Sequence, residues 1–163
     1  MTKKIAYLGL LIALAFVFSY VEFLLPVNIG VPGAKLGLAN LVIIVALYTL
    51  GEREAFLLSV LRIVLVGFTF GNMASMIYSL AGGILSYTVM VLAKKLKRLS
   101  LTGVSVLGGV FHNVGQIIVA ILVVETTSLL YYLPVLILAG TLSGVAIGVL
   151  GAMVTRRMGA ILK

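Results

Sequence analysis

The chain has 163 residues, of which 63% are hydrophobic and only 10% charged, and its mean hydropathy is +1.30. A soluble domain carries about 25% charged residues, so the composition points to an all-α integral membrane protein, a single domain over residues 1–163. Cysteine is absent, which excludes disulfides and thiolate metal sites. The net charge of +8 is spread as short basic clusters between apolar runs. That pattern orients membrane spans and does not form a nucleic-acid-binding face.

A helix needs about 20 apolar residues to cross the hydrocarbon core. Six runs approach that length: 5–25, 36–50, 54–70, 73–93, 103–124 and 130–154. The first follows Lys3 and Lys4 and imitates a signal peptide. Its apolar part is longer than a usual signal core and no small-residue cleavage site follows, so a retained helix is expected. The second and third runs are short and are joined by the turn Gly51-Glu52-Arg53-Glu54. In a six-span arrangement Lys3, Lys4, Arg53, the Lys94–Arg98 cluster, Arg156, Arg157 and Lys163 fall on one side. Lys35 alone among the basic residues falls on the other. The positive-inside rule then places both termini in the cytoplasm. In the last run Gly140, Gly144 and Gly148 recur every four residues, a spacing that lets helix backbones approach closely. Gly9 and Ala13 in the first run, with Ala6 and Ala15 nearby, form a second small-residue face that suits either internal packing or a partner.

Ionisable groups within a span cost about 2.5–3.5 kcal/mol on insertion scales. The chain places several of them in one membrane half. Glu22 ends the first run, and Lys35 and Asn40 open the second. Arg62 lies in the middle to outer part of the third, and Asn72 is at its exit. His112, Asn113 and Gln116 run outward along the fifth, which Glu125 closes. Gln116 is one turn from His112 and shares its face, with Asn113 pointing sideways. Each has a structural alternative: an Arg62–Glu22 ion pair, a bundle histidine bonded to Asn113 or a carbonyl, an Asn40 bonded across helices, interfacial Lys35 and Glu125. As a set, Lys35, Arg62 and protonated His112 opposite Glu22 suit a ligand carrying a carboxylate or phosphate, and apolar walls suit a ring or chain. The backbones of Gly33 and Gly37 allow close approach.

Catalytic chemistry is poorly provided for. There is no aspartate, and the four acidic residues are Glu22, Glu52, Glu54 and Glu125. Magnesium-dependent diphosphate chemistry needs clustered carboxylates, and one histidine without cysteine offers no ordinary metal site. No phosphate-cradling GxxxxGK[ST] loop is present. The chain is therefore expected to be neither an enzyme nor an ATPase, and to need no cofactor.

The stretches IAYLGLLIALAFVFSYVE, KLGLANLVIIVALYTLG, REAFLLSVLRIVLVG, YSLAGGILSYTVM and GVFHNVGQIIVA resemble the bacterial Gx transporter family, often labelled heptaprenyl diphosphate synthase component I. KLGLAN and FHNxGQ are the most specific parts. More distantly the chain is similar to the substrate-binding S components of energy-coupling factor (ECF) importers. The resemblance implies a compact six-helix bundle in the bacterial cell membrane with an outward-facing pocket. It also implies a membrane T component and cytoplasmic ATPases as partners, with Gly9 and Ala13 in the contact. The expected function is solute binding for import, the solute being vitamin-like, flavin-related or isoprenoid with an anionic group. The alternative is a non-catalytic membrane subunit beside a prenyl diphosphate synthase or in quinone biosynthesis.

Overall fold

A computed structural model describes residues 2–25 and 37–161. Among them are six α-helices and no strand: α1 (Thr2–Leu24), α2 (Leu38–Thr49), α3 (Glu52–Thr69), α4 (Met73–Lys95), α5 (Leu101–Val124) and α6 (Leu133–Ile161). A 3-10 segment, Thr127–Tyr132, leads into α6. It takes up the start of the sixth apolar run, so α6 begins at Leu133, just before Pro134, and continues past the expected end at 154. Proline fits the first turn of a helix, where its missing N–H has no intrahelical partner to lose.

Among the described residues four stretches are long and apolar enough to cross a membrane: Ile5–Leu24, Met73–Lys95, Leu101–Val124 and Thr127–Met158. Their outer faces carry large apolar side chains into the surroundings, with Leu122 71% and Leu142 64% exposed. In water such a surface would aggregate. In lipid it is the expected exterior, and the chain is accordingly a multi-pass membrane protein.

Helices α2 and α3 fall outside these four stretches, and α2 organises the bundle. At 12 residues it is about 18 Å long, well short of a hydrocarbon core of about 30 Å. It is buried on nearly every side: Ile43, Ile44 and Leu47 are fully covered, as are Ala39, Val42, Val45 and Ala46. Helices α1, α3 and α6 pack around it. An all-round apolar helix of this kind can only be a central one.

Glycine sets the spacing of the other half. A side-chain carbon on Gly144 would lie 2.6 Å from the Val106 backbone, and one on Gly148 would lie 2.6 Å from that of Thr102. The four-residue glycine repeat of α6 thus faces α5, as internal packing. On the opposite side of α5, Gly115 approaches Gly82 of α4, where an added carbon would sit 2.9 Å from the Gly82 backbone. By contrast, Gly9 on α1 has nothing within 4 Å of such a carbon, and Ala6 and Ala13 beside it are exposed. That face points outward and only Ala15 of the set turns into the core.

Two ends result. At one, the Gly51 turn, Lys94, Lys95 and the last turns of α6 gather. At the other lie the C-termini of α1, α3 and α5 and the N-termini of α2, α4 and α6. The polar residues of interest belong to this second end.

Candidate functional site

The site begins with the start of α2. Its N-cap position is Gly37, which has a left-handed backbone (φ 78°) and offers no side-chain cap. The first amides of a helix need acceptors, and here they come from another helix. The Glu22 carboxylate accepts from Gly37 N at 2.5 Å and from Leu38 N at 3.0 Å. A carboxylate is well suited to a helix N-terminus, where the backbone dipole is positive. Gly37 is required by its φ, since a β-carbon in the left-handed region costs about 1–2 kcal/mol.

One turn earlier on α1, the buried Ser19 hydroxyl donates to Ala15 O at 2.9 Å. It also accepts a hydrogen bond from Arg62 Nη1 at 3.5 Å, at the limit of a useful bond and the one found for Arg62 among the described residues. Arg62 Nε is buried and has no hydrogen-bond partner among the described residues. A guanidinium carries five N–H donors in a fixed fork. Glu22 is close enough for its charge to act on Arg62, but one oxygen of that carboxylate is committed to the α2 backbone. In place of the alternative of a simple Arg62–Glu22 pair there is a triangle of Arg62, Glu22 and the α2 N-terminus.

Arg62 stands between two cavities, and Glu22 and Ser79 border both with it. The larger, about 220 Å³, has polar walls from Ser19, Ser75 and Asn72 and apolar walls from Phe23, Phe70 and Met76. Phe70 is the hub of an aromatic group, its ring 5.2–5.4 Å from those of Phe16, Tyr20 and Phe23. The smaller cavity, about 40 Å³, is walled by Asn40, His112, Asn113 and Ser143. A cation with spare donors beside a chamber of this size can hold a carboxylate or phosphate through charge-assisted hydrogen bonds, with the aromatic wall receiving an apolar body.

The residues picked out in the sequence are therefore partly united. Glu22, Asn40, Arg62, His112 and Asn113 meet around one point. Asn113 is held structurally, its side chain donating to Leu136 O at 2.7 Å. Asn72 borders the larger cavity but is committed to the start of α4: its Oδ1 accepts from Ser75 N at 2.8 Å, and its own N donates to Ser75 Oγ at 3.1 Å. Gln116 does not join the group. Its stem packs where Gly82 leaves room, and it lines a separate apolar pocket of about 270 Å³ with Tyr78, Tyr132 and Leu136. Glu125 terminates α5 in a left-handed conformation (φ 53°). Lys35 and Gly33 lie outside the described residues.

Several lining residues were not picked out in advance: Ser19, Ser79, Ser143 and the phenylalanines. The signal for Ser19 was its position one turn before Glu22 on the same face. Ser143 was masked by the glycine repeat around it. No cluster of three or more His, Cys, Asp or Glu able to hold a metal occurs among the described residues.

A model of the family described as heptaprenyl diphosphate synthase component I matches residues 11–154. The chain belongs to that family. The match takes in Glu22, Arg62 and His112, so the whole candidate site lies within it. No curated protein and no solved structure matches the chain.

Proposed function

We propose that this component I family member captures a small organic anion at Arg62 from the end of the bundle opposite its basic clusters, and serves as the solute-binding subunit of an importer. The supporting observation is the half-buried Arg62 beside a chamber of about 220 Å³, with one long hydrogen bond and a buried Nε that has no partner among the described residues. Leaving a cation so poorly compensated within a membrane helix is costly. A bound anion supplies what the protein does not. The positive-inside rule puts the Lys94 end in the cytoplasm and both termini with it, so the mouth beside Glu22 and Asn72 faces outward from a bacterial cell membrane. In this reading all six helices lie within the bilayer, the short α2 being shielded from lipid by its neighbours. The chain catalyses nothing itself. Uptake is driven by partners of the ECF kind, a T component and ATPases, meeting the exposed Gly9–Ala13 face.

A second reading is favoured by the family description: a non-catalytic membrane subunit that binds a prenyl diphosphate for a soluble synthase. The same guanidinium would receive the diphosphate. Thermal unfolding of the purified protein with a panel of aromatic carboxylates, flavin phosphates and short prenyl diphosphates separates the two. Stabilisation by carboxylates or flavin phosphates supports import, and stabilisation by prenyl diphosphates alone supports the synthase reading. Equal responses in wild type and Arg62→Gln would refute the Arg62 site under both.

A further inference from the structure

The Arg62 site does not end at the smaller cavity. Asn40, Ser143, Gly37 and Gly109 border both that space and a third one of about 20 Å³. The third lies lower in the bundle, toward the basic end, between Ser86 of α4 and Ser105 in the second turn of α5. Both serines are buried, 4% and 5% exposed. Three adjoining cavities thus run from Glu22 and Arg62 past Asn40 and Ser143 to Ser86 and Ser105. The seam narrows as it descends and its lower wall is Met90, a core residue.

Small polar side chains at consecutive depths have a physical consequence. A buried space needs about 10–15 Å³ of water-centre volume and two to four polar partners to hold a water molecule. The second and third cavities meet both conditions, with hydroxyls, the Asn40 amide and the backbone bared by Gly108 and Gly109 as partners. Glycine keeps the seam open: a side-chain carbon on Gly108 would lie 3.4 Å from Ser86 Oγ and 2.6 Å from Met90 Sδ. The largely apolar pocket beside Gln116 has no such series of serines along its walls.

We propose that this seam is a hydrated access path from the Arg62 site toward the basic end of the bundle, closed at its foot by the flexible Met90 side chain. The occupant is water, in single file at the narrow part. The path rests on the reading of Arg62 as a ligand site only for its purpose, which is to let that site exchange water and protons with the opposite face.

The chain has no cysteine, so single thiols report cleanly. Ser86→Cys, Ser105→Cys and Ser143→Cys are made in the otherwise unchanged full chain, with Leu142→Cys as a lipid-facing control next to Ser143. Each is reconstituted in lipid nanodiscs and exposed to silver ion, which is close to water in size. The protein is then unfolded and the remaining thiols are counted with a fluorescent maleimide. Thiols form the reactive thiolate only where water reaches them, so the three seam positions should react at least about tenfold faster than Leu142→Cys. Met90→Ala should speed Ser105→Cys further, by several-fold. Seam thiols reacting no faster than the Leu142→Cys control, with or without Met90→Ala, would overturn the path. Anion binding is measured separately on the wild type and Arg62→Gln. Loss of the path with binding intact removes the seam alone, and thiol reactivity without binding removes only the Arg62 reading.

Discussion

Each end of the bundle places a cation beside a helix terminus and a glutamate, with opposite results. At the basic end, Lys94 Nζ donates to Leu47 O at 2.7 Å, satisfying a carbonyl in the last turn of α2, and lies 5.1 Å from the Tyr48 ring centre. The Tyr87 hydroxyl donates to the Glu52 carbonyl, and Lys95 pairs with Glu52 at 3.1 Å. Lys94, Tyr87, Lys95 and Glu52 each have a partner there, and α2, α3 and α4 are tied together. At the other end Glu22 is committed to the start of α2, and Arg62 keeps donors to spare beside a chamber. Saturated charges make a fastening; unsaturated ones leave room for the proposed anion. The same short helix is held at both ends, by Glu22 and by Lys94, so the two regions can be perturbed independently.

The sharpest break comes from Arg62→Gln. Anion binding should fall by about 100-fold or more, since a charge-assisted bidentate contact is worth several kcal/mol when desolvated. Folding stability should hold or rise, because a half-buried, undercompensated cation is removed. Titration calorimetry and denaturation on the same preparation read both. Lys94→Met should do the reverse. Losing a hydrogen bond from a charged donor lowers stability by about 1.5–3 kcal/mol, seen as a lower unfolding midpoint, with affinity unchanged. The exposed Lys95–Glu52 pair should matter less, below about 1 kcal/mol on Lys95→Ala. Gly37→Ala should cost about 1–2 kcal/mol through its left-handed backbone and loosen the α2 start that Glu22 grips. A small effect on stability is also expected from Glu22→Gln. The amide still accepts from Gly37 and Leu38, so stability should drop by only about 0.5–1 kcal/mol, while removing a negative charge beside Arg62 should strengthen anion binding a few-fold.

The membrane character, the six helices and the inward glycine face of α6 were legible because each rests on local chemistry: run length, charge placement and four-residue spacing. The gathering of Glu22, Asn40, Arg62 and His112 was legible for the same reason, since depth along a helix follows from residue count. What the sequence did not carry was rotation about each helix axis and competition for acceptors. Gln116 shares a face with His112 yet ends in an apolar pocket, because Gly82 and Gly115 draw α4 against α5 and divide that face. Glu22 looked like the counter-ion of Arg62. The missing N-cap of α2 claims it, and that follows from Gly37 having no side chain to offer.

The most direct measurement is mass spectrometry of small molecules retained by the protein purified from its own membranes, wild type beside Arg62→Gln. The expected result is an acidic compound, carboxylate or phosphate, held by the wild type and absent from the variant. The same acidic compounds in both, or only neutral lipids in both, would contradict the Arg62 site.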